Sequence, residues 1–395
     1  MSTSPPDRAA GHVAEPAPAA GSAGLGSAGL RPVHGSARDV LALLSAWQAA
    51  PEEPEPLLIA TSGSTGEPKQ VVLSRAAMRA SARATERRLG GPGQWLLNLP
   101  SSYVAGVQVL FRSVLAGTEP VIEDEHPDFV TAARAMSGPR RYVSVVPTQL
   151  HRMLADDATA EALRGFDTVL VGGARLDPSL REAASAAGVR VVATYGMSET
   201  CGGCVYDGVP LDGVAVAIGD DGRVRVSGPV LFEGYAGRPD LTAQVLREGW
   251  FLTSDTGRLD DDGRLQVLGR VDDLVISGGV NVPTQAVAAR LAEHPDLASV
   301  EVVGVPDEEW GQRVVAVVVP RDSGVPPLEA LRDFAAETLP RTWAPRAVVP
   351  AASLPLLGNG KVDRRAVEQI AADADEAADA ADAAAADAAD GRTDG

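Results

Sequence analysis

Cysteine is almost absent: the 395 residues hold two, Cys201 and Cys204, in "CGGC". That count excludes a disulfide scaffold, and with neither a second pair nor a nearby histidine it excludes a tetrahedral zinc set. The two are read as small reduced residues in a tight turn. No apolar run reaches the 18 residues of a membrane span, so none is expected. The start of the chain is rich in Ala, Gly, Pro and Ser and lacks a cationic segment followed by an apolar one, so no secretory signal is expected and a cytoplasmic location is. Positive charge is also short. The formal net charge is -18, which argues against nucleic acid as the main partner. From Glu368 to Gly395 nine acids face one arginine, so much of the excess sits in the tail.

What is present suffices for two or three domains with sizeable cores. Residues 1–35 read as disordered, Pro-, Ala- and Gly-rich with little apolar periodicity. A large α/β domain is expected over 36–271, where strands such as "PLLIATS", "FDTVLVGG" and "VRVVATYG" alternate with helical stretches at the spacing of a largely parallel sheet. From about Val205 the pattern changes to alternating residues around "DDG" turns, which reads as β-hairpins. A smaller α+β unit follows over 272–366, and an Ala/Asp-rich tail over 367–395 reads as disordered.

The segment "TSGSTGEPK", Thr61 to Lys69, is dense in hydroxyls and glycines and follows an apolar strand. It is not a P-loop: Gly63 and Gly66 are too close, and Lys69 is followed by Gln70 rather than Ser or Thr. A Gly/Ser turn can cradle a phosphate with its N–H groups and hydroxyls while a lysine balances charge, or it can simply join two elements. It is expected to run from a strand into the helix that begins at Ser74.

Four further segments bear on that choice. "VLVGGARL" runs a strand into paired glycines, where a planar base could lie against exposed backbone. "ATYGMSET" offers the Tyr195 ring and sets Glu199 beside Thr200, a carboxylate and a hydroxyl suited to Mg2+ and phosphate oxygens. "SDTG" and "GRVDD" bring Asp255 and Arg270, and "GNGKVDR" carries Lys361 between glycines and basic residues. Each alone has a plain reading as turn, core or solvated loop.

Taken in order, these motifs resemble the acyl-adenylate-forming superfamily of acyl-CoA synthetases, luciferases and peptide-synthetase adenylation domains, from about Leu57 to Arg364. The resemblance implies a large N-terminal domain of layered α/β subdomains, shortened at its N-terminus, and a small mobile C-terminal domain. It implies ATP, Mg2+ and coenzyme A. Thr61, Ser62, Ser64, Thr65 and Lys69 would hold the β- and γ-phosphates, and Thr200 the α-phosphate. Glu199 would bind Mg2+; Gly172, Gly173, Ala174, Tyr195 and Gly196 would line the adenine site; Asp255 and Arg270 would hold the ribose. Asp272 matches the hinge, Gly278 and Gly279 the face that meets coenzyme A, and Lys361 the lysine that bridges carboxylate and α-phosphate.

Only about 60 residues precede the phosphate loop, and "SSYVAGVQVLFRSVLAG" follows it. In this the chain resembles the compact o-succinylbenzoate–CoA ligases of menaquinone biosynthesis. On the helix Val104 to Leu115, Val104, Val107, Phe111, Val114 and Leu115 form an apolar face, with Gln108 and Arg112 together at its edge. The resemblance makes Arg112, with Gln108, the receptor of the acid's second carboxylate; an arginine snorkelling to the surface is the competing reading. Tyr103 stands where many members have histidine, Val280 replaces the glutamate of "GGEN", and "GNGK" replaces "SGK". A fatty or aromatic acyl-CoA ligase of another pathway and a non-catalytic nucleotide-binding relative are the alternatives. The sequence leaves a homo-oligomer open.

Overall fold

The computed structural model describes residues 29–61, 69–271, 274–307, 309–321, 324–356 and 362–374. Ser62, Ser64, Thr65, Asp272 and Lys361 lie outside the described residues, as do 1–28 and 375–395.

The apolar run Leu57–Thr61 forms a strand, and its partner is the next strand, Lys69–Leu73, antiparallel with Thr61 opposite Lys69. The segment between them therefore closes a hairpin. This corrects the expected strand-to-helix junction: Val71, Val72 and Leu73 are fully buried, so the chain returns through the sheet before turning into a helix. Arg31–Pro32 pairs in parallel with Leu57–Leu58 at one edge, where a proline without an N–H is tolerated. Order thus begins before residue 35, which corrects the expected boundary. Gly234–Tyr235 closes the other edge against Val71 and Val72.

Two helices back this sheet. Ser36 and Asp39 cap Ala37–Ala49 reciprocally, each side chain bonding the other residue's N–H. Ser74 caps Arg75–Arg88, accepting from the Ala77 N–H at 3.3 Å. Arg75 is buried, its guanidinium donating to the carbonyls of Ala50 and Glu52 at 2.7 and 2.9 Å and to Glu53 at 3.0 Å. It ties the two helices together.

The central sheet runs, in spatial order, Val209–Pro210, Gly202–Tyr206, Val191–Met197, Thr168–Val171, Arg141–Val145, Gln94–Leu97 and Val121–Ile122. The last five are mutually parallel and the first two antiparallel, as the alternating pattern led one to expect. Parallel strands buried on both faces explain runs such as "TVLV", every residue of which is buried. The helix Val104–Ala116 crosses this layer with Gly106 to Ser113 all buried. The "DDG" turns are hairpins: Ala215–Ile218 pairs with Arg223–Ser227, and Trp250–Leu259 with Leu265–Arg270.

The C-terminal unit is built on Leu297–Asp307 paired with Gly311–Pro320. Alternation divides their valines between two faces. Val302, Val314 and Val318 face the helices Thr284–Leu291 and Leu328–Ala336, while Val303, Val305, Val315 and Val317 pack with Val367 and Ala371. Val367 and Ala371 lie on a helix over 364–374, so the expected start of the tail at 367 is corrected. The period-four spacing of two apolar residues completes a sheet face there. Among the described residues no helix is long and apolar enough to cross a membrane.

Candidate active site

The parallel strands end together, and the residues just past those ends carry the chemistry, as is usual for open α/β sheets. Gly172, Gly173 and Ala174 follow Thr168–Val171, half-buried to exposed. A Cβ on Gly172 would lie 2.4 Å from Thr194 Oγ1, so the next strand's approach requires glycine and leaves a bare backbone edge. Tyr195 and Gly196 lie on that next strand. A Cβ on Gly196 would meet the Gly202 carbonyl oxygen at 2.1 Å, where the antiparallel turn folds back.

That turn, Ser198–Thr200, presents Glu199. Its carboxylate Oε1 accepts from the Tyr235 hydroxyl at 2.7 Å. Among the described residues this is its sole hydrogen bond, so the second oxygen is available to a divalent cation, and the donor set fits one. Lys69 Nζ stands 5.5 Å from the centroid of the same Tyr235 ring.

Asp255 and Arg270 are direct cross-strand partners, with Arg270 Nη1 3.8 Å from Asp255 Oδ1. The Tyr195 hydroxyl donates to Asp255 Oδ2 at 2.7 Å, joining two residues of different sheets. Burial, and then the neighbouring carboxylate, raise the pKa of both phenols: Asp255 acts on Tyr195 and Glu199 on Tyr235. Both hydroxyls remain protonated donors.

Thr200 is fully buried; its hydroxyl donates to the Gly202 carbonyl at 2.7 Å and accepts from the Met197 N–H at 2.9 Å, so it is engaged within its own turn. Ser198, two residues earlier, has no side-chain hydrogen bond among the described residues, and it is the hydroxyl that sequence reasoning passed over. Its place beside Glu199 in "YGMSET" was the available signal. Thr61 Oγ1 is bonded to the Lys69 carbonyl at 3.3 Å across the hairpin.

Gln108 and Arg112 are not at a helix edge; both are buried, at 1% and 4% exposure. The snorkelling reading is overturned. Gln108 Nε2 donates to the Cys201 carbonyl at 2.8 Å, next to the Glu199 turn, and its Oε1 is buried without a partner among the described residues. Arg112 lies one helical turn further along, its guanidinium 5.0 Å from the Trp95 ring centroid and its Nε unpartnered among the same residues. Burial pushes the Glu86 carboxyl up while the charge of Arg112 pulls it back. Asn98, directly after Gln94–Leu97, buries both atoms of its amide without a partner at the C-terminal end of the parallel sheet. Nothing in the sequence marked it.

Cys201 and Cys204 are free and fully buried, and burial pushes the Cys204 thiol up to about 12. Gly278 and Gly279 form the turn between Leu274–Ser277 and Val280–Pro283 on the C-terminal unit, with the Gly278 N–H donating to the Trp310 carbonyl at 2.9 Å.

Bare glycine backbone past the strand ends, a carboxylate paired with an arginine, and a second carboxylate held by a phenol are groups that an adenine nucleotide could use. Residues 36–236 match the AMP-binding enzyme family and residues 286–361 its C-terminal domain. The chain belongs to the AMP-binding enzymes. A probable 2-succinylbenzoate–CoA ligase of Mycobacterium tuberculosis is 47% identical over 331 residues, covering 81% of this chain and 86% of the relative. The 2-succinylbenzoate–CoA ligase of Geobacillus kaustophilus is 34% identical, over 78% of this chain and 68% of its own. Among solved structures, the Bacillus subtilis o-succinylbenzoate CoA synthetase in complex with its acyl-adenylate intermediate superimposes with a TM-score of 0.67 at 29% identity, over 79% of this chain and 68% of that one.

Proposed function

We propose that the chain is an AMP-forming acid–CoA ligase that activates 2-succinylbenzoate for menaquinone biosynthesis, acting in the cytoplasm. The observation that carries this reading is the 47% identity to the mycobacterial relative over most of both chains. In the first half-reaction a substrate carboxylate oxygen attacks the α-phosphorus of ATP and pyrophosphate leaves. In the second, the thiol of coenzyme A attacks the acyl carbon and AMP leaves.

The roles follow the site. Gly172, Gly173, Ala174, Tyr195 and Gly196 receive the adenine; Asp255, with Arg270, accepts the ribose hydroxyls. Ser62, Ser64, Thr65 and Lys69 take the β- and γ-phosphates. Thr200, its hydroxyl spent internally, fixes the turn that aims Glu199, and Ser198 supplies the hydroxyl for the α-phosphate. Glu199 would hold Mg2+, which when bound would offset charge on the phosphates. Lys361 bridges the carboxylate and the α-phosphate in the transition state. Rotation about Asp272 then withdraws it and brings Gly278 and Gly279 to the coenzyme A channel. Arg112, buried with its Nε unpartnered among the described residues, takes the second carboxylate of the acid, with Gln108 between it and the Glu199 turn. No nucleic-acid partner is part of this reading.

The test is pyrophosphate release with ATP and Mg2+, offered 2-succinylbenzoate, benzoate, a medium-chain fatty acid and amino acids, with and without coenzyme A. Release should be confined to 2-succinylbenzoate and coupled to a CoA thioester. Lys361→Ala should lower it on the order of 10²-fold, about 3 kcal/mol of transition-state stabilisation. Arg112→Leu should raise KM for the acid and leave that for ATP unchanged. Release with another acid would end the menaquinone assignment; ATP binding without any release would favour the non-catalytic relative.

A further inference from the structure

Tyr235 has no role in the reading above, yet two groups of the nucleotide site converge on it. Its hydroxyl holds Glu199 Oε1 at 2.7 Å, and Lys69 Nζ approaches its ring to 5.5 Å from the centroid. The residue is itself held firmly. It pairs with Val71 across the hairpin strand that carries Lys69, its N–H donates to Thr242 Oγ1 at 2.9 Å, and its ring packs against Phe232 with centroids 5.0 Å apart. Thr242 Oγ1 in turn bonds the Arg238 carbonyl at 3.0 Å.

The same short segment grips Glu199 a second time, because the Phe232 N–H donates to the Glu199 carbonyl at 2.9 Å. Residues 232–235 therefore fix both the backbone and the carboxylate of Glu199 from an element more than thirty residues away in sequence. A buried tyrosine hydroxyl usually finds a hydrogen-bond partner. Here the partner is one oxygen of a carboxylate that has no other hydrogen bond among the described residues, which leaves the other oxygen for a ligand.

We propose that Tyr235 is a positioning residue that orients Glu199 toward the divalent cation bound with the nucleotide and keeps Lys69 alongside. This rests on the reading of Glu199 as the cation's ligand. Outer hydrogen-bond partners of metal-binding carboxylates typically contribute ~10–100-fold in metal affinity. The donor is a neutral phenol rather than an arginine, so this hydrogen bond does not itself neutralise Glu199.

The experiment measures binding rather than turnover. Mn2+ is titrated into the full chain in the presence of α,β-methylene-ATP and followed by electron paramagnetic resonance. Wild type, Tyr235→Phe, Glu199→Gln and the double variant are compared. Tyr235→Phe should weaken Mn2+ about tenfold, equivalent to about 1.4 kcal/mol, and leave metal-free nucleotide affinity unchanged. In the Glu199→Gln background the same substitution should add nothing. Unchanged Mn2+ affinity in Tyr235→Phe would overturn the proposal, as would an equal loss in both backgrounds, which would mean that the ring acts through packing. Should Tyr235→Phe melt prematurely, Thr242→Val loosens the same residue from behind and should weaken Mn2+ about two- to threefold; no shift there also overturns it. Glu199→Gln without effect on Mn2+ would remove the premise. Failure of the ligase reading is seen separately, as no pyrophosphate release by the wild type with any acid, and leaves the Mn2+ titrations interpretable.

Discussion

Two buried or half-buried glutamates, one in each unit, are held in opposite ways. In the C-terminal unit Glu301 accepts from Arg364 Nη1 at 2.6 Å and from Gln285 Nε2 at 2.8 Å. Its charge is cancelled, and the pair pins the helix over 364–374 to the central hairpin. In the large unit Glu199 is held by a neutral hydroxyl. The first arrangement cancels a charge inside the fold; the hydrogen bond in the second does not. A cation partner inside the protein neutralises a carboxylate; a neutral donor aims it. The units differ in the same sense throughout. The C-terminal core is largely valine on a five-stranded sheet, while the large unit brings together bare glycine backbone, two phenols and two carboxylates from three sheets.

The sharpest break of that contrast is Glu301→Ala. It should leave Arg364 partly buried without its acid and cost about 3 kcal/mol or more, the low end expected where the arginine retains some solvent. Chemical denaturation should register the loss, whereas nucleotide binding to the large unit should be unaffected. A nucleotide defect as large as the stability loss would show that the two acids are not separable.

A finer division runs within the Glu199 turn. Thr200→Val strands the Met197 N–H and the Gly202 carbonyl and should destabilise by about 1–3 kcal/mol. Ser198→Ala should leave the melting temperature unchanged and slow pyrophosphate release on the order of 10²-fold, the usual effect of losing one donor to a developing oxyanion. The opposite pattern would return the α-phosphate to Thr200.

The smallest effect is expected furthest from the site. Ser36→Ala removes the cap of the helix Ala37–Ala49 and should cost about 1 kcal/mol. The hydrogen bonds from Ser36 hold the Asp39 carboxyl below the ordinary aspartate value. Because the folded-state value is depressed, that contribution is present above the unfolded pKa and is lost as pH falls through the folded one. The difference between wild type and Ser36→Ala should therefore narrow on acidification below about pH 4. A difference that stays constant would mean that Asp39 does not take part in the cap.

The order of motifs, and with it the family, the parallel sheet and the "DDG" hairpins, was legible residue by residue, because glycine turns, apolar runs and β-branched alternation are local properties. The pairing of Asp255 with Arg270 was also within reach, since a hairpin brings nearby residues opposite one another. Tertiary structure alone decided the rest. That "TSGSTGEPK" closes a hairpin depends on which strand Lys69–Leu73 pairs with, a contact no local pattern specifies. Gln108 and Arg112 looked like a helix edge because their helix has apolar residues on one side, yet helices and strands enclose it on all sides. Thr200 and Ser198 are two hydroxyls in one turn, and only the path of the backbone to Gly202 shows which is consumed within it. Tyr235 meets Glu199 across 36 residues through an edge strand. Hydrogen-bond partners are set by three-dimensional proximity, which sequence spacing does not encode beyond a turn or a hairpin.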